Sequence, residues 1–248
     1  MSRNLTYFAS DVHLGLNVGD PAAREMAFVT FLRSIDPADT ESLYLLGDIW
    51  DFWYEYRDVV PRGYVRVLGE LVNLVDKGVK VYFFQGNHDL WSYSYFKELG
   101  IIPLKQPHVA EIGGKRFCMG HGDGLGPGNH WYKFVKGVFS MRFPQRLFST
   151  LHPWFAFRMG TGWSASSRAN KPIAYQFKGP GEPLYTFCEN FPEKVDYFIF
   201  GHYHSRVDMP VGESRLMMLG DWMTGPNWMV FDSKSGVLES VSGTSAES

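Results

Sequence analysis

The chain has 248 residues, of which 45% are hydrophobic and 17% aromatic, and its formal net charge is −2. This composition excludes an intrinsically disordered chain, and the near-neutral charge argues against a protein that binds nucleic acid over its whole surface. A chain of this length can form one sizeable hydrophobic core, so we expect a single domain over residues 1–248.

Several features predict a cytoplasmic protein. The two cysteines, Cys118 and Cys188, are too few for a disulfide framework. No uninterrupted apolar run approaches the roughly 18 residues of a membrane span. The first residues, "MSRNLTYFASDVHLG", pass directly into a predicted strand and lack the long apolar stretch of a signal peptide.

Short apolar runs alternate with helical patterns in the first part of the chain. The runs in "LTYFASDVH", "SLYLLGDIWDFW" and "VKVYFFQGNHD" are rich in β-branched and aromatic residues, and they predict buried strands. Between them, apolar residues recur at helical spacing over about residues 22–34 and from Tyr64 to a stop at Gly78. Alternation of strand and helix predicts a layered α/β sheet.

Further strands are predicted in the second half of the chain. They lie in "KRFCMGHGD", "VDYFIFGHYH" and "RLMMLGDW", and each run ends in glycine followed by a polar residue. The final stretch, "DSKSGVLESVSGTSAES", allows at most one more hairpin strand before a frayed tail.

One segment differs in composition from the rest of the chain. Between Gly124 and Gly181 there is no Asp or Glu, and the Lys and Arg residues give the segment a charge of +8, so the remainder carries −10. It is rich in Trp and Phe, with a helical stripe broken at Pro144 and again at Pro153. We interpret residues 125–178 as an inserted helical cap. Its aromatic residues either face an anionic lipid or pack inward behind solvated basic residues.

Five predicted strand ends carry polar motifs: D-x-H, G-D-x-x-D, G-N-H-D, G-H-G-D and G-H-x-H. Each motif alone also fits an ordinary turn or helix cap. Together they supply carboxylate, imidazole and amide groups, which are ligands for borderline divalent metals. Strand ends at one edge of an α/β sheet converge on a single crevice, so the sequence predicts a metal site there.

These five motifs resemble the signature of the calcineurin-like metallophosphoesterases, and they extend over about four fifths of the chain. The resemblance implies a four-layered αββα sandwich, two sheets flanked by helices, that holds two divalent metal ions. The ligands it implies are Asp11, His13 and His204 for one ion, Asn87, His121 and His202 for the other, and Asp48 as a bridge between them.

The resemblance also implies catalytic residues. Two metal ions activate a water molecule that attacks phosphorus, and they neutralise the phosphoryl oxygens. In phosphatases of this family the histidine of G-N-H-D lies near the leaving group and is oriented by the second aspartate of G-D-x-x-D. Here these residues are His88 and Asp51, although Asp51 also fits a helix cap. Asp89 and Asp123 are expected to fix the surrounding loops.

Within the family, the chain is similar to the UDP-2,3-diacylglucosamine diphosphatases of bacterial lipid A synthesis. The similarity lies in "GDIWDFW", "GNHDLW", "HGDGLG" before a basic helical insertion, and "LGDW" near the end. It implies hydrolysis of the pyrophosphate of an acylated nucleotide sugar, giving UMP and 2,3-diacylglucosamine 1-phosphate, generally with Mn²⁺. It further implies a cap that encloses acyl chains. Well-known members have arginine and glutamate where this chain has His88 and Asp51.

The predicted partners are the acylated nucleotide-sugar lipid and an anionic membrane surface, with no nucleic acid and no protein partner. This places the protein peripherally on the inner face of the bacterial inner membrane. The predicted substrate contacts, which also fit solvent-facing loop residues, are Asn87, Asn129, Arg168, Lys171 and His202. Trp91 and Trp222 are expected in the core. The alternative functions are another phosphoesterase of this fold, such as a phosphodiesterase or a dinucleotide or protein phosphatase, and a non-catalytic scaffold.

Overall fold

The computed structural model describes residues 3–169 and 175–243, apart from the side chains of residues 163–169. Within these residues the strands are β1 (Leu5–Ala9), β2 (Thr40–Leu45), β3 (Lys80–Phe84), β4 (Ile102–Leu104), β5 (His108–Ile112), β6 (Lys115–Met119), β7 (Tyr197–Phe200), β8 (Val207–Val211), β9 (Ser214–Met218), β10 (Asn227–Asp232) and β11 (Val237–Ser242). The helices are α1 (Pro21–Ser34), α2 (Val65–Asp76), α3 (Tyr95–Glu98), α4 (His130–Ser140), α5 (Arg142–Ser149), α6 (Pro153–Ala169) and α7 (Pro183–Glu189).

The strands form two sheets. The first has the order β11-β10-β1-β2-β3-β4, and the second has the order β5-β6-β7-β9-β8. In the first sheet β1, β2, β3 and β4 run parallel, whereas β10 and β11 are antiparallel to their neighbours. In the second sheet β6, β7 and β9 are parallel, and β5 and β8 close the edges as antiparallel strands. The carboxyl ends of the central strands therefore lie together in each sheet.

Alternating side chains of the strands build three apolar layers. Phe8 of β1 and Phe117 of β6 point into the layer between the two sheets, where their rings stack 5.8 Å apart. The neighbouring residue Ala9 faces α1 and α2, and Cys118 faces α7. Since successive side chains of a strand point to opposite faces, each central strand contributes to two layers. The result is the predicted αββα sandwich, with two sheets flanked by helices.

Most of the predicted elements are confirmed, with small shifts at their ends. Helix α1 begins after Asp20, whose side chain accepts hydrogen bonds from the backbone N–H groups of Ala22 and Ala23. The final hairpin strand is present as β11, paired with β10. Sequence patterns did not predict β4, β5, β8 or β10. These strands are mostly short or lie near a sheet edge, where alternation is weak.

The acid-free segment contains α4, α5 and α6, between β6 and α7. The predicted break at Pro144 is placed wrongly, because α4 ends at Ser140 and Met141 adopts an extended conformation. Pro144 instead lies in the first turn of α5, where a backbone N–H has no partner within the helix and its loss costs little. No helix in the described part of the chain is both long enough and apolar enough to cross a bilayer.

Candidate metal centre

The five polar motifs follow the carboxyl ends of five parallel strands. Three of these strands, β1, β2 and β3, are neighbours in the first sheet, and β6 and β7 are neighbours in the second. The two sheets are joined at this edge by the carboxylate of Asp11, which accepts the backbone N–H of His202 at 3.0 Å. Motifs that are far apart in the sequence therefore meet in one crevice.

The backbone is unusual at this edge. Among the described residues other than glycine, seven have a positive φ, and five of these are predicted ligands: Asp11, His13, Asp48, His202 and His204. The left-handed conformation costs an L-residue roughly 1–2 kcal/mol. Strain of this kind persists where the surrounding structure fixes it, and it concentrates at functional sites.

Asp11, His13 and His204 form one group of ligand atoms, which lie within 4.8 Å of one another. The Nε2 atoms of His13 and His204 are 3.1 Å apart, and Asp11 Oδ1 lies 3.3 Å from Nε2 of His204. Nδ1 of His204 faces Asp221 Oδ2 at 3.7 Å. The geometry thus gathers the first predicted set of ligands.

Asp48, His121 and His202 form a second group within the same distance limit. Asp48 Oδ2 lies 3.3 Å from Nε2 of His121 and 3.9 Å from Nε2 of His13, so this carboxylate stands between the two groups. Asn87 joins the second group, with its Oδ1 atom 3.3 Å from Nε2 of His121. His202 and His204, two residues apart, thus belong to different groups.

Hydrogen bonds fix which nitrogen of His121 faces the site. Its Nδ1 atom lies 2.9 Å from the backbone carbonyl of Leu46. A carbonyl only accepts hydrogen bonds, so Nδ1 carries a proton and donates to Leu46, and this directs Nε2 toward Asp48 and Asn87. The orientation of His121 toward the second group is therefore fixed by a group outside the crevice.

His88 and Asp51 are adjacent, but the closest contact is not the expected one. Nδ1 of His88 donates to the backbone carbonyl of Asp51 at 3.0 Å, while the carboxylate of Asp51 is 3.7 Å away. The same carboxylate oxygen lies 3.6 Å from Nδ1 of His13. Asp51 thus orients His88 through its main chain, and its side chain lies between two imidazoles.

Burial and charge shift the pKa values of the centre in opposite directions. Burial lowers the pKa of His13 to about 4, which keeps its ring neutral. Burial would also lower the pKa of His121, but the charge of Asp48 outweighs it and raises that pKa to about 10. For Asp11, burial favours the neutral acid, yet the hydrogen bond from His204 lowers the pKa to about 2. The carboxylates therefore hold negative charge in a buried site, which favours cations.

Two further aspartates hold the loops in place. Asp89 accepts hydrogen bonds from the backbone N–H groups of Gly86 at 2.7 Å and Ile49 at 2.8 Å, as its predicted loop-fixing role requires. Burial and the charge of Asp48 raise the pKa of Asp89 to about 7. Asp221 was not predicted from the sequence. It faces His204 and accepts hydrogen bonds from the backbone N–H groups of Met223 and Thr224. Its only signal was the "LGDW" motif.

Two glycines of the motifs, Gly86 and Gly201, are required because a predicted ligand lies close to their backbone, and not because the chain turns there. A Cβ atom on Gly86 would lie 2.2 Å from Asp48 Oδ1, and one on Gly201 would lie 2.3 Å from Asp11 Oδ2. Neither glycine has a positive φ. A side chain at these positions would therefore displace a predicted ligand.

A cavity of about 390 Å³ opens beside the second group. Its polar end is formed by Asp51, Asn87 and His88 of the centre. The other walls come from the body and from the cap: Phe52, Trp53, Leu90, Trp91, Tyr132, Val135, Lys136, Phe139, Phe148, Met159 and Gly160. Trp222 is in the core as expected, but Trp91 is only half-buried and lines this cavity. The volume is in the range of small-molecule sites.

Most of the predicted substrate contacts fall in or near the cap. Asn87 lines the cavity, and His202 lies beside it, with its ring 6.4 Å from that of Tyr132. Asn129 is exposed at the start of α4 and does not line the cavity. Arg168 is in the last turn of α6, but its side chain and the whole of Lys171 lie outside the described residues.

The cap places aromatic side chains on two sides. Phe139, Phe148 and Phe157 contact aromatic residues of the body, including Trp91 and Phe52. Others are largely exposed, with Trp131 and Phe143 each 76% accessible and Phe134, Trp154 and Phe155 between 48% and 67%. The aromatic residues of the cap thus divide between the two alternatives, with one set packed on the body and another set exposed to solvent.

Known proteins resemble this chain over most of its length. A family model described as calcineurin-like phosphoesterase matches residues 6–206, which include all five motifs. A UDP-2,3-diacylglucosamine hydrolase from Porphyromonas gingivalis is 35% identical over 96% of this chain and 98% of its own. A protein of the same name from Photorhabdus laumondii is 32% identical over 80% of this chain and 81% of its own. A solved archaeal phosphodiesterase has a TM-score of 0.46 and 14% identity, covering 96% of this chain and 99% of its own.

Proposed function

The chain belongs to the calcineurin-like phosphoesterases, and on that premise we propose that it hydrolyses the pyrophosphate of UDP-2,3-diacylglucosamine to UMP and 2,3-diacylglucosamine 1-phosphate. The observation that carries this proposal is the cavity, which runs from Asn87 and His88 to apolar walls supplied by the cap. A substrate with both a pyrophosphate and acyl chains needs a site with these two ends. A relative with this name covers nearly the whole chain.

The donor groups fit divalent cations. Buried carboxylates, imidazoles and one amide oxygen suit Mn²⁺ and similar ions. One ion would be held by Asp11, His13 and His204, and the other by Asn87, His121 and His202, with Asp48 reaching both. Two such ions, when bound, would acidify a water molecule and neutralise the phosphoryl oxygens.

His88 and Asp51 would act on the leaving group. His88 lines the cavity, and its ring is held by the carbonyl of Asp51. An imidazole fixed in this way can donate a hydrogen bond or a proton to the departing oxygen. Asp51 is then a positioning residue, whose carboxylate lies 3.6 Å from Nδ1 of His13 and 3.7 Å from Nδ1 of His88.

The remaining polar contacts would bind the nucleotide sugar. Asn87 and His202 belong to the second group of ligands, and both would contact the same phosphate. Asn129, Arg168 and Lys171 would contribute from the cap, where no acidic residue competes for an anionic ligand. The acyl chains would lie against Trp91 and Phe139.

The outer side of the cap would rest on the cytoplasmic face of the inner membrane, where a diacylated substrate resides. Its exposed aromatic residues suit the interfacial zone of a bilayer, and its basic residues suit anionic lipid headgroups. The protein would then act as a peripheral membrane enzyme.

The test is hydrolysis of UDP-2,3-diacylglucosamine by the purified protein with Mn²⁺, followed as release of UMP. We expect turnover of this substrate to exceed that of simple aryl phosphodiesters by orders of magnitude in kcat/KM. Efficient turnover of aryl phosphodiesters with none of the acylated nucleotide sugar would reject the substrate and leave the phosphoesterase activity standing.

A further inference from the structure

Helix α4 is fastened to the candidate metal centre at both of its ends. Near its first turns, Tyr132 Oη and Lys136 Nζ both donate to Asp123 Oδ2, each at 2.5 Å. Near its last turn, the indole of Trp91 donates to the backbone carbonyl of Phe139 at 2.9 Å. Asp123 follows His121 by two residues, and Trp91 follows His88 by three. The helix is thus held by the two loops that carry candidate ligands.

The carboxylate of Asp123 is well suited to hold the helix. It is buried and also accepts from Gln106 Nε2 at 2.8 Å, so its position does not depend on α4 alone. Burial and the charge of Asp123 raise the pKa of Tyr132, which keeps the phenol protonated as a donor. The side chain of Lys136 is only 23% exposed, so its bond to Asp123 is poorly screened by solvent.

The same face of α4 forms a wall of the cavity. Tyr132, Val135, Lys136 and Phe139 all line it, at the i, i+3, i+4 and i+7 positions of one helical face. The apolar wall and the fastening points therefore belong to a single rigid element. Any shift of α4 relative to His88 would change the distance between an apolar chain in the cavity and the reacting end of the same ligand.

We propose that Tyr132 and Lys136 are positioning residues that fix α4 on Asp123 and thereby make turnover depend on an apolar chain in the cavity. They select for long-chain phosphoesters without touching the phosphate. This inference rests on the proposed function only in requiring phosphoester hydrolysis, and it does not require a nucleotide-sugar substrate.

The experiment uses the full chain with Mn²⁺ and two p-nitrophenyl phosphodiesters, one a methyl ester and the other a dodecyl ester. We expect the wild type to prefer the dodecyl ester, mainly through a lower KM. Lys136→Met should raise the KM of the dodecyl ester by about tenfold, and the loss in kcat/KM should be several times larger for the dodecyl ester than for the methyl ester. Tyr132→Phe should act in the same direction, and Lys136→Arg should retain the preference.

Lys133→Met is the matched control. Lys133 lies on the same helix, but its ammonium group donates to the carbonyl of Gly126 and not to Asp123. We expect this variant to keep the chain-length preference. Titration of Mn²⁺ by calorimetry should give the same affinity for wild type and Lys136→Met, because Lys136 is not a ligand.

Several results would overturn the inference. Equal losses on both esters, or weaker Mn²⁺ binding in Lys136→Met, would mean that Lys136 only supports the His121 loop. A wild type without any chain-length preference, or a Lys136→Met variant that keeps it, would also reject the positioning role. If the wild type leaves UDP-2,3-diacylglucosamine intact but shows a preference that Lys136→Met removes, the proposed substrate fails and the positioning role stands.

Discussion

The metal centre and the cap depart from ordinary protein surfaces and cores in opposite ways. The centre buries charge, with Asp11 and His121 fully inaccessible to solvent and Asp48 at 1%. The cap exposes apolar groups, with Trp131 and Phe143 each 76% accessible. Buried charge costs folding free energy unless it is paired, and exposed aromatic residues promote unwanted association. Each region therefore carries a cost that a ligand would relieve, a cation in one case and lipid in the other.

The two regions also differ in how tightly they are built. At the centre, side chains meet within hydrogen-bond distances and the backbone is strained at five predicted ligands. The cap is held to the body by aromatic contacts, by the bonds of Tyr132 and Lys136 to Asp123, and by hydrogen bonds from Tyr54 and Tyr56 to cap carbonyls. Changes at the centre should thus have large and general effects, and changes in the cap smaller and substrate-dependent ones.

The largest effect is expected for Asp48→Asn. This substitution removes the carboxylate that stands between the two groups of ligands, and it should lower kcat/KM for any phosphoester by about 10³-fold or more. The measurement is steady-state turnover of an aryl phosphodiester at saturating Mn²⁺. Asp58→Asn is the control, since that carboxylate is exposed and is not a predicted metal ligand. If Asp48→Asn kept most of the activity, Asp48 would not be a metal ligand that turnover requires.

Asp89→Asn should have the next largest effect. The carboxylate of Asp89 is fully buried and accepts hydrogen bonds from backbone N–H groups. An amide in its place would put an NH₂ donor against these N–H donors. We expect Mn²⁺ affinity to fall by about 10–100-fold and stability by about 1–3 kcal/mol. Calorimetric metal titration and urea unfolding test this. Unchanged affinity would show that the loops hold their ligands without Asp89.

Phe148→Ala and Leu147→Ala compare the two sides of the cap directly. Phe148 lies 4.7 Å from Trp91 and 4.8 Å from Tyr54 between ring centroids, whereas its neighbour Leu147 is 63% exposed. We expect Phe148→Ala to speed proteolysis within residues 125–178 by about tenfold, through loss of packing free energy that docks the cap. Leu147→Ala should leave cleavage unchanged. Equal rates in the two variants would mean that the inner aromatic residues do not dock the cap.

The smallest effect is expected on membrane binding. Trp131→Ser should weaken sedimentation with phosphatidylglycerol vesicles several-fold, because one exposed aromatic side chain contributes about 1–3 kcal/mol when buried. Val65→Ser is the control, since Val65 is equally exposed but lies on α2 of the body. A matching loss in Val65→Ser, or binding to uncharged vesicles as strong as to anionic ones, would contradict a docking surface on the cap.

Much of the centre was predictable from the sequence. The five motifs follow strands that the apolar runs predict, and parallel strands bring their carboxyl ends to one edge. The division of His202 and His204 between two groups came from the family resemblance. In the structure both residues have a positive φ, so the rule that i and i+2 side chains of an extended strand share a face does not apply to them.

Other features could not be read from the residues. The orientation of His88 by the carbonyl of Asp51, and of His204 by Asp221, depends on groups that are close only after folding. Trp91 was expected in the core but lines the cavity. A tryptophan that follows a strand looks the same in the sequence whether it packs in a core or forms a cavity wall. The roles of Tyr132 and Lys136 depend on a carboxylate that the pattern of α4 does not reveal.

The amino-acid sequence determined the order of the central strands and of helices α1 and α2, the chemical types of the candidate ligands and the acid-free composition of the cap. These properties follow from local periodicity and from side-chain chemistry, which each residue carries with it. Tertiary structure alone decided which atoms face one another and which side of each cap helix meets solvent. Contacts at 3 Å depend on backbone angles, such as the left-handed conformation of Asp11. They also depend on packing between distant segments, such as the hydrogen bond of Lys136 on α4 to Asp123.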